Sequence, residues 1–251
     1  MKKILMIVGL MFVCVAAIAQ TVSVDWMVDN DIYAQNTCEY GGTLTVPSTA
    51  PTKYGYTFQG WGVYQRLEYI ESSRTQYIDT GIITHNDVVR IDMDMKLTAI
   101  INNENHYFLA VGTGFGVRGE SIAFGISNGK WSMILPGYNW NTFGAASTGR
   151  VQFSWTITLD GKSEITGDLI KTTTDSSFYG PNLGWRQKTW NFGSTYIEVY
   201  AVKIYLNNTL VRDFIPVLDS LGVPCMYDKV TQQFFYNQGT GDFIAGPMLN
   251  E

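Results

Sequence analysis

Two carboxylates are spaced as a catalytic pair could be. Asp92 and Asp94 lie two residues apart in VRIDMDMKL, residues 89 to 97, and alternate residues of a strand point to the same face. Retaining glycosidases hold two carboxyl groups about 5 to 5.5 Å apart, which alternate positions on one strand can provide. Arg90 and Lys96 flank the pair, however, and charge pairing between strands on a solvent face explains all four residues. We prefer charge pairing and keep catalysis by Asp92 and Asp94 as the alternative.

Two glycine-rich stretches carry side chains suited to sugar binding. They are LPGYNWNTFG, residues 135 to 144, and YGPNLGWRQKTWNFG, residues 179 to 193. Aromatic faces can cover the apolar side of a sugar ring while amides and charged groups bind its hydroxyls, and loops often carry such residues. The sequence therefore predicts ligand contacts by Tyr138, Trp140, Asn141, Trp185, Arg186 and Trp190. The alternative is that many of these rings belong to a hydrophobic core.

Other chemical motifs in the sequence are weaker. GFGVRG, residues 114 to 119, has the spelling of a phosphate-binding loop but lacks the helix whose N-terminus would bind the phosphate. The two histidines, His85 and His106, have no neighbours with zinc-ligand spacing. We assign no metal or other cofactor, although separated loops could still build a calcium site. An enzyme is therefore not the favoured class.

The N-terminus has the pattern of a secretory signal peptide. Lys2 and Lys3 precede an apolar run, and Ala17-Ile18-Ala19 supplies a small-x-small cleavage site, which predicts a signal peptide over residues 1–19. The run is shorter than the roughly 20 residues of a membrane span, and no later segment approaches that length. We therefore expect export to the extracellular space or the cell envelope, with no membrane span in the mature chain.

Charge and cysteine content limit the partners and the chemistry. The net charge of −5 and the lack of a basic stripe argue against nucleic-acid binding. Cleavage after Ala19 would leave Cys38 and Cys225, which an oxidising compartment could join in a disulfide. Two free, small apolar side chains are the alternative.

The pattern beyond residue 20 is that of an all-β protein. Val89, Ile91, Met93, Met95 and Leu97 alternate with polar residues, as expected for a strand with one buried face. Asn128-Gly129 and Asp160-Gly161 predict tight hairpin turns, because both dipeptides accept positive φ angles. Short strands separated by such turns predict a sandwich or barrel.

The segment after the signal peptide resembles a known small module. GGTLTVPSTAPTKYGYTFQGW, residues 41 to 61, is similar to the internalin-type B-repeat of bacterial surface proteins, including its closing Gly-Tyr-Thr-Phe-x-Gly-Trp. The resemblance implies a small β-grasp-like module over residues 20–62.

The remaining residues, 63–251, resemble a concanavalin A-like, laminin-G-like jelly-roll sandwich. The similarity lies in LEYIESSRTQYIDTG, residues 67 to 81, and in LVRDFIPVLDSLGVPCMYDKVTQQFFYNQGTGDFIAG, residues 210 to 246. It implies two antiparallel sheets whose termini meet at one edge. Glycosidases of this class carry Glu-x-Asp-x-x-Glu on the catalytic strand, and the strand at 89 to 97 departs from that pattern.

Together these features favour an exported, non-catalytic binding or adhesion protein that recognises a glycan or a surface protein. Functions in this superfamily include lectins, glycosidases and structural modules, so the fold alone does not decide. A glycoside hydrolase and a structural module without a small ligand are the alternatives.

Overall fold

The structure is a computed structural model of the chain. It describes residues 3–13, 21–28, 31–39, 45–52, 54, 56–84, 87–101, 104–111, 122–135, 139–160, 162–174 and 189–249. The described residues contain strands and no helix, and therefore no helix that could span a membrane. The predicted all-β class is confirmed.

The strands form two sheets. The larger sheet contains β1 (Lys3–Val13), β2 (Thr21–Val28), β3 (Asp31–Glu39), β4 (Tyr56–Arg66), β5 (Ile70–Ser73), β7 (Val89–Leu97), β12 (Arg150–Ile157), β13 (Lys162–Gly167), β14 (Lys171–Thr174), β16 (Tyr196–Leu206), β17 (Thr209–Leu218), β18 (Pro224–Asp228), β19 (Gln233–Phe235) and β20 (Ile244–Ala245). The smaller sheet contains β6 (Tyr77–Ile83), β8 (Asn105–Val111), β9 (Ala123–Ser127), β10 (Lys130–Leu135), β11 (Asn139–Ala145) and β15 (Thr189–Gly193).

The order of strands in each sheet shows how distant segments meet. The main path of the larger sheet is β14-β13-β12-β7-β16-β17-β4-β1-β2-β3, and that of the smaller sheet is β11-β10-β9-β8-β15-β6. Two strands pair with the same edge of β16: β5 with its first residues and β17 with its last residues. Apart from the parallel pair of β1 and β4, this two-sheet arrangement is antiparallel and compatible with a jelly roll.

Local sequence explains the central strands. Every second residue of β7 from Val89 to Leu97 is buried, as its alternating pattern predicts. Asn128 and Gly129 have φ angles of 49° and 72°, which form the predicted tight turn between β9 and β10. The hairpin predicted around Asp160 is present as the antiparallel pair β12 and β13.

The two sheets enclose one aromatic core. Phe153 and Trp155 of the larger sheet meet Phe124 of the smaller sheet, with ring centroids 5.1 and 5.7 Å apart. Trp155 is fully buried, and its indole nitrogen donates a hydrogen bond of 2.8 Å to Ser163 Oγ. A buried tryptophan usually has such a partner, and here the bond joins the two strands of one hairpin.

Asp228 organises the turn between β18 and β19. Its carboxylate is fully buried and accepts hydrogen bonds from the backbone N–H groups of Asp213 (2.7 Å), Val230 (3.1 Å) and Thr231 (3.3 Å). The Thr231 hydroxyl donates a further bond of 2.6 Å, and Arg212 Nε lies 3.6 Å from Oδ2. A buried carboxylate is stable when its oxygens are satisfied in this way. Tyr-Asp-Lys-Val-Thr, residues 227 to 231, is therefore a structural turn held by this carboxylate.

The first and last segments of the sandwich are joined. Asn237 Oδ1 accepts hydrogen bonds from the backbone N–H groups of Tyr77 (3.0 Å) and Gly239 (2.8 Å). A Cβ atom on Gly239 would lie 1.7 Å from the carbonyl oxygen of Thr75, so this close approach requires glycine. Further along, Leu67 forms a β-bridge with Met248.

The N-terminal strands extend the larger sheet beyond β4. β1 lies between β2 and β4, antiparallel to the first and parallel to the second. Its residues fall within the range predicted as a signal peptide. In β2, Trp26 is fully buried, and its indole nitrogen donates to Asn36 Oδ1 at 2.7 Å.

The two cysteines considered for a disulfide are free thiols in the structure. Cys38 lies in β3, half-buried, whereas Cys225 lies in β18 within a buried cluster with Tyr64 and Val217. Burial raises the pKa of Cys225 to about 12. Of the two alternatives, the structure therefore shows two unpaired thiols and no disulfide between Cys38 and Cys225.

Candidate functional site

An open polar groove crosses the outer face of the larger sheet. Thr166, Ser154, Asp92 and Lys203 are successive partners across β13, β12, β7 and β16, so their side chains form one row. Gln152, Asp94 and Ala201 form the next row. The two rows line a groove of about 410 Å³, which we call the cross-strand groove.

The alternation that builds the core also builds this groove. Met93 and Met95 face inward and are buried, so Asp92 and Asp94 must face the opposite side of β7. Ser154 and Ala201 are short, which lowers the floor between longer neighbours. The groove therefore forms where these short side chains lie between longer ones on the same face of the sheet.

Two arginine–tyrosine stacks flank the cross-strand groove. Arg90 Cζ lies 3.7 Å from the ring centroid of Tyr205, and Arg150 Cζ lies 3.6 Å from that of Tyr200. A guanidinium placed over a ring in this way is attracted by the negative face of the π-system. Both stacks join neighbouring or nearby strands, so they also hold the arginines in fixed positions.

Both groove carboxylates are paired with arginine. Arg150 binds Asp94 at two points, with Nε to Oδ1 at 2.7 Å and Nη2 to Oδ2 at 2.9 Å, and Gln152 Nε2 donates to Oδ2 at 2.7 Å. Arg90 Nε lies 3.2 Å from Asp92 Oδ1. Two-point arginine–carboxylate pairs are strong and fix geometry. The hydrogen bond to Asp94 is also the main cause that raises the pKa of Arg150.

A second set of polar contacts continues beyond the Arg150 end of the groove. Lys96 Nζ lies 2.9 Å from Glu198 Oε1, and the Tyr200 hydroxyl donates to Glu198 Oε2 at 2.5 Å. The hydrogen bond to Glu198 raises the pKa of Lys96. Burial, followed by this hydrogen bond, raises the pKa of Tyr200. The charges at this end therefore neutralise one another.

Lys203 differs from the other charged residues of the groove. Across the strands it faces Asp92 and Asp213, but Asp92 is paired with Arg90 and Asp213 Oδ2 lies 2.9 Å from Lys229 Nζ. Among the described residues, the Lys203 ammonium has no hydrogen bond or ion pair. It contributes a positive charge that no described neighbour neutralises.

Of the residues predicted to bind a ligand, the three that the structure describes are not among those lining the cross-strand groove. Trp190 of β15 is fully buried against Trp155, with ring centroids 5.8 Å apart, so it presents no face to solvent. Asn141 of β11 is half-buried and accepts a hydrogen bond of 3.4 Å from Thr173 Oγ1. Trp140 is placed in β11 by its backbone, opposite Ile134. Tyr138, Trp185 and Arg186 lie outside the described residues, as does the GFGVRG segment.

Within the described ranges, no group of three or more His, Cys, Asp or Glu side chains is arranged to hold a metal ion. No protein-family model matches the chain, and no curated protein matches it. The site is therefore interpreted from its own geometry.

Sequence reasoning found the carboxylates of the groove but not its other members. The alternation in β12 could have placed Gln152 and Ser154 on a solvent face. Their position beside Asp94 and Asp92 depends on the register between strands about 60 residues apart. No local signal in the sequence sets that register.

Proposed function

We propose that the chain is an exported, non-catalytic binding protein that recognises a glycan through the cross-strand groove. The proposal includes a concanavalin A-like jelly roll over residues 63–251 and a B-repeat-like module over residues 20–62. The observation that carries it is the open polar groove, because carboxylate, amide, hydroxyl and ammonium groups converge there on one exposed surface. A few fixed polar groups in a concave site are the usual requirement for binding a polyhydroxylated ligand.

The ion pairs favour binding over hydrolysis. Arg150 and Gln152 donate hydrogen bonds to both oxygens of Asp94, which holds this carboxylate in place as an acceptor. Glycoside hydrolysis uses two carboxyl groups in different roles, whereas Asp92 and Asp94 have similar surroundings, each beside an arginine. Fixed carboxylates in such pairs still accept hydrogen bonds from sugar hydroxyls through their remaining lone pairs.

Export is part of the same proposal. Cleavage after Ala19 would remove β1 and leave the core of the sandwich intact, because that core is built from residues between Leu67 and Phe243. N-terminal sequencing of the protein recovered from the medium or the envelope of expressing cells tests this step. A mature chain that begins at Gln20 is expected, and an unprocessed N-terminus would contradict it.

Glycan binding is tested with a variant that fills the groove. Ala201→Trp places a large side chain on the floor of the groove, and Ala145→Trp makes the same change on the exposed β11 of the other sheet. On a glycan array, we expect the unmodified chain to bind at least one glycan and Ala201→Trp to lose at least about tenfold in affinity. Ala145→Trp should bind as the unmodified chain does. Binding to no glycan, or equal binding by Ala201→Trp, would refute the proposal.

A further inference from the structure

We propose that the glycan bound in the cross-strand groove is acidic, carrying a carboxylate or a sulfate, and that Lys203 binds this anionic group. The inference rests on the proposed function and narrows its ligand class.

The charge balance of the groove leads to this ligand class. Asp92 and Asp94 are paired with Arg90 and Arg150, and Arg150 Nη1 also lies 3.9 Å from Glu68 Oε1, so these charged groups already have partners. Lys203 remains, with no partner among the described residues. The Lys203 ammonium is therefore the charged group of the groove that is left for an acidic ligand to pair with.

The position of Lys203 suits an anchor for an anion. Its side chain is half-buried at one end of the row, and the exposed Thr166 lies at the other end. An ammonium with part of its water removed gains more from a charged partner than a fully solvated one does. An acidic group on a ligand would supply the partner that Lys203 lacks, because Asp213 across the strands is paired with Lys229.

The remaining lining explains why the acid should belong to a sugar. Between Lys203 and Thr166 lie three inter-strand spacings, which together span about 14 Å, longer than one sugar ring. Along this distance Ser154 and Gln152 offer a hydroxyl and an amide, and the aspartates offer oxygen acceptors. One anion site followed by hydroxyl, amide and carboxylate groups matches an oligosaccharide with one acidic unit at its Lys203 end, because a further acidic unit would lie beside Asp92 and Asp94. A small inorganic anion would leave most of these groups unused.

The experiment compares acidic oligosaccharides with neutral derivatives of the same backbone. The probes are neutral oligosaccharides that end in a single glucuronate, a single galacturonate or a single sulfated galactose, each beside its carboxyl-methylated or desulfated form. Binding to the exported chain is measured by calorimetry at low salt. We expect at least one acidic member to bind about tenfold more tightly than its neutral derivative, and this preference to shrink in high salt.

Variants assign the preference to Lys203. Lys203→Gln should abolish the preference for the acidic member over its neutral derivative, and Lys203→Arg should retain this preference. Lys130→Gln removes an exposed lysine from β10 of the other sheet and should behave as the unmodified chain does. An unchanged melting temperature shows that Lys203→Gln is folded.

The possible results separate the two proposals. If acidic and neutral probes bind equally, glycan binding stands and the inference of an acidic ligand is wrong. If the preference exists but survives in Lys203→Gln, the assignment to Lys203 is wrong. If no acidic probe binds while the array finds a neutral glycan, the inference also fails. Binding to no glycan of either kind overturns the proposed function itself.

Discussion

Replacing Asp228 tests whether Tyr-Asp-Lys-Val-Thr, residues 227 to 231 between β18 and β19, is a structural turn. Asp228→Ala removes the acceptor of three backbone N–H groups and one hydroxyl, and it leaves Arg212 without its carboxylate. Asp228→Asn keeps the shape and one oxygen acceptor but removes the charge. The two variants therefore separate the loss of hydrogen bonds from the loss of the ion pair.

The structure supports an estimate of the cost. A buried donor left unsatisfied costs about 1 to 3 kcal/mol, and removing one partner of a buried ion pair costs about 3 to 5 kcal/mol. Arg212 also donates hydrogen bonds to the carbonyl oxygens of Thr80 and Val211, and water can enter the space left by the carboxylate, so the terms do not add fully. We expect Asp228→Ala to lower the free energy of unfolding by about 4 kcal/mol and Asp228→Asn by about 2 kcal/mol.

Urea unfolding followed by tryptophan fluorescence measures both values. Glu164→Gln is the matched control, because Glu164 is a carboxylate on the same sheet whose pair with Lys162 is well exposed, and its loss should change stability by less than about 0.5 kcal/mol. If Asp228→Ala unfolds within about 1 kcal/mol of the unmodified chain, the turn does not depend on this carboxylate and the reasoning is refuted.

Two further predictions concern the same sandwich. Gly239→Ala should destabilise the sandwich by about 2 kcal/mol or more, because the added Cβ would overlap the Thr75 carbonyl oxygen. Gly149→Ala is the control and should be nearly neutral, because the nearest heavy atom lies 3.7 Å from the added Cβ. Equal melting temperatures for the two variants would contradict the close contact at Gly239. Burial, followed by the nearby Arg74, lowers the pKa of His106 below its ordinary 6.5. As the pH falls, His106 is therefore protonated in the unfolded chain before it is protonated in the folded one. The free energy of unfolding should then decrease as the pH drops below about 6.5. The free energy of unfolding in urea, measured between pH about 7.5 and about 5.5, should depend less on pH in His106→Gln than in the unmodified chain. An identical pH dependence in the two proteins would show that His106 does not cause the loss of stability.

Much of the sandwich could be predicted from local sequence, because its strands follow local rules. The alternation in β7 depends only on which residues avoid water, and the turn at Asn128-Gly129 depends only on which residues accept positive φ. These constraints act within a few residues, so one sequence is enough to read them. The order of the strands was not predicted, because it depends on pairing between segments far apart in the sequence.

The candidate site was harder to predict, because it depends on pairing between distant strands. Trp190 belongs to a glycine-rich stretch typical of a binding loop, yet its ring is fully buried against Trp155, because β15 lies between β6 and β8. Lys203 carries no local signal at all. Its importance appears only when Asp92 and Asp213 on its two neighbouring strands are seen to be paired with other residues.

The contact between the two ends of the sandwich has a consequence for how such a unit can be used. Leu67 pairs with Met248, and the Glu68 N–H donates to the carbonyl oxygen of Pro247 at 2.8 Å, so the chain enters and leaves the sandwich at one place. A folded unit of this kind can replace a surface loop of another protein without separating the two sides of that loop. For the same reason, joining the ends by a short linker and opening an exposed hairpin should give a circularly permuted sandwich with the same core.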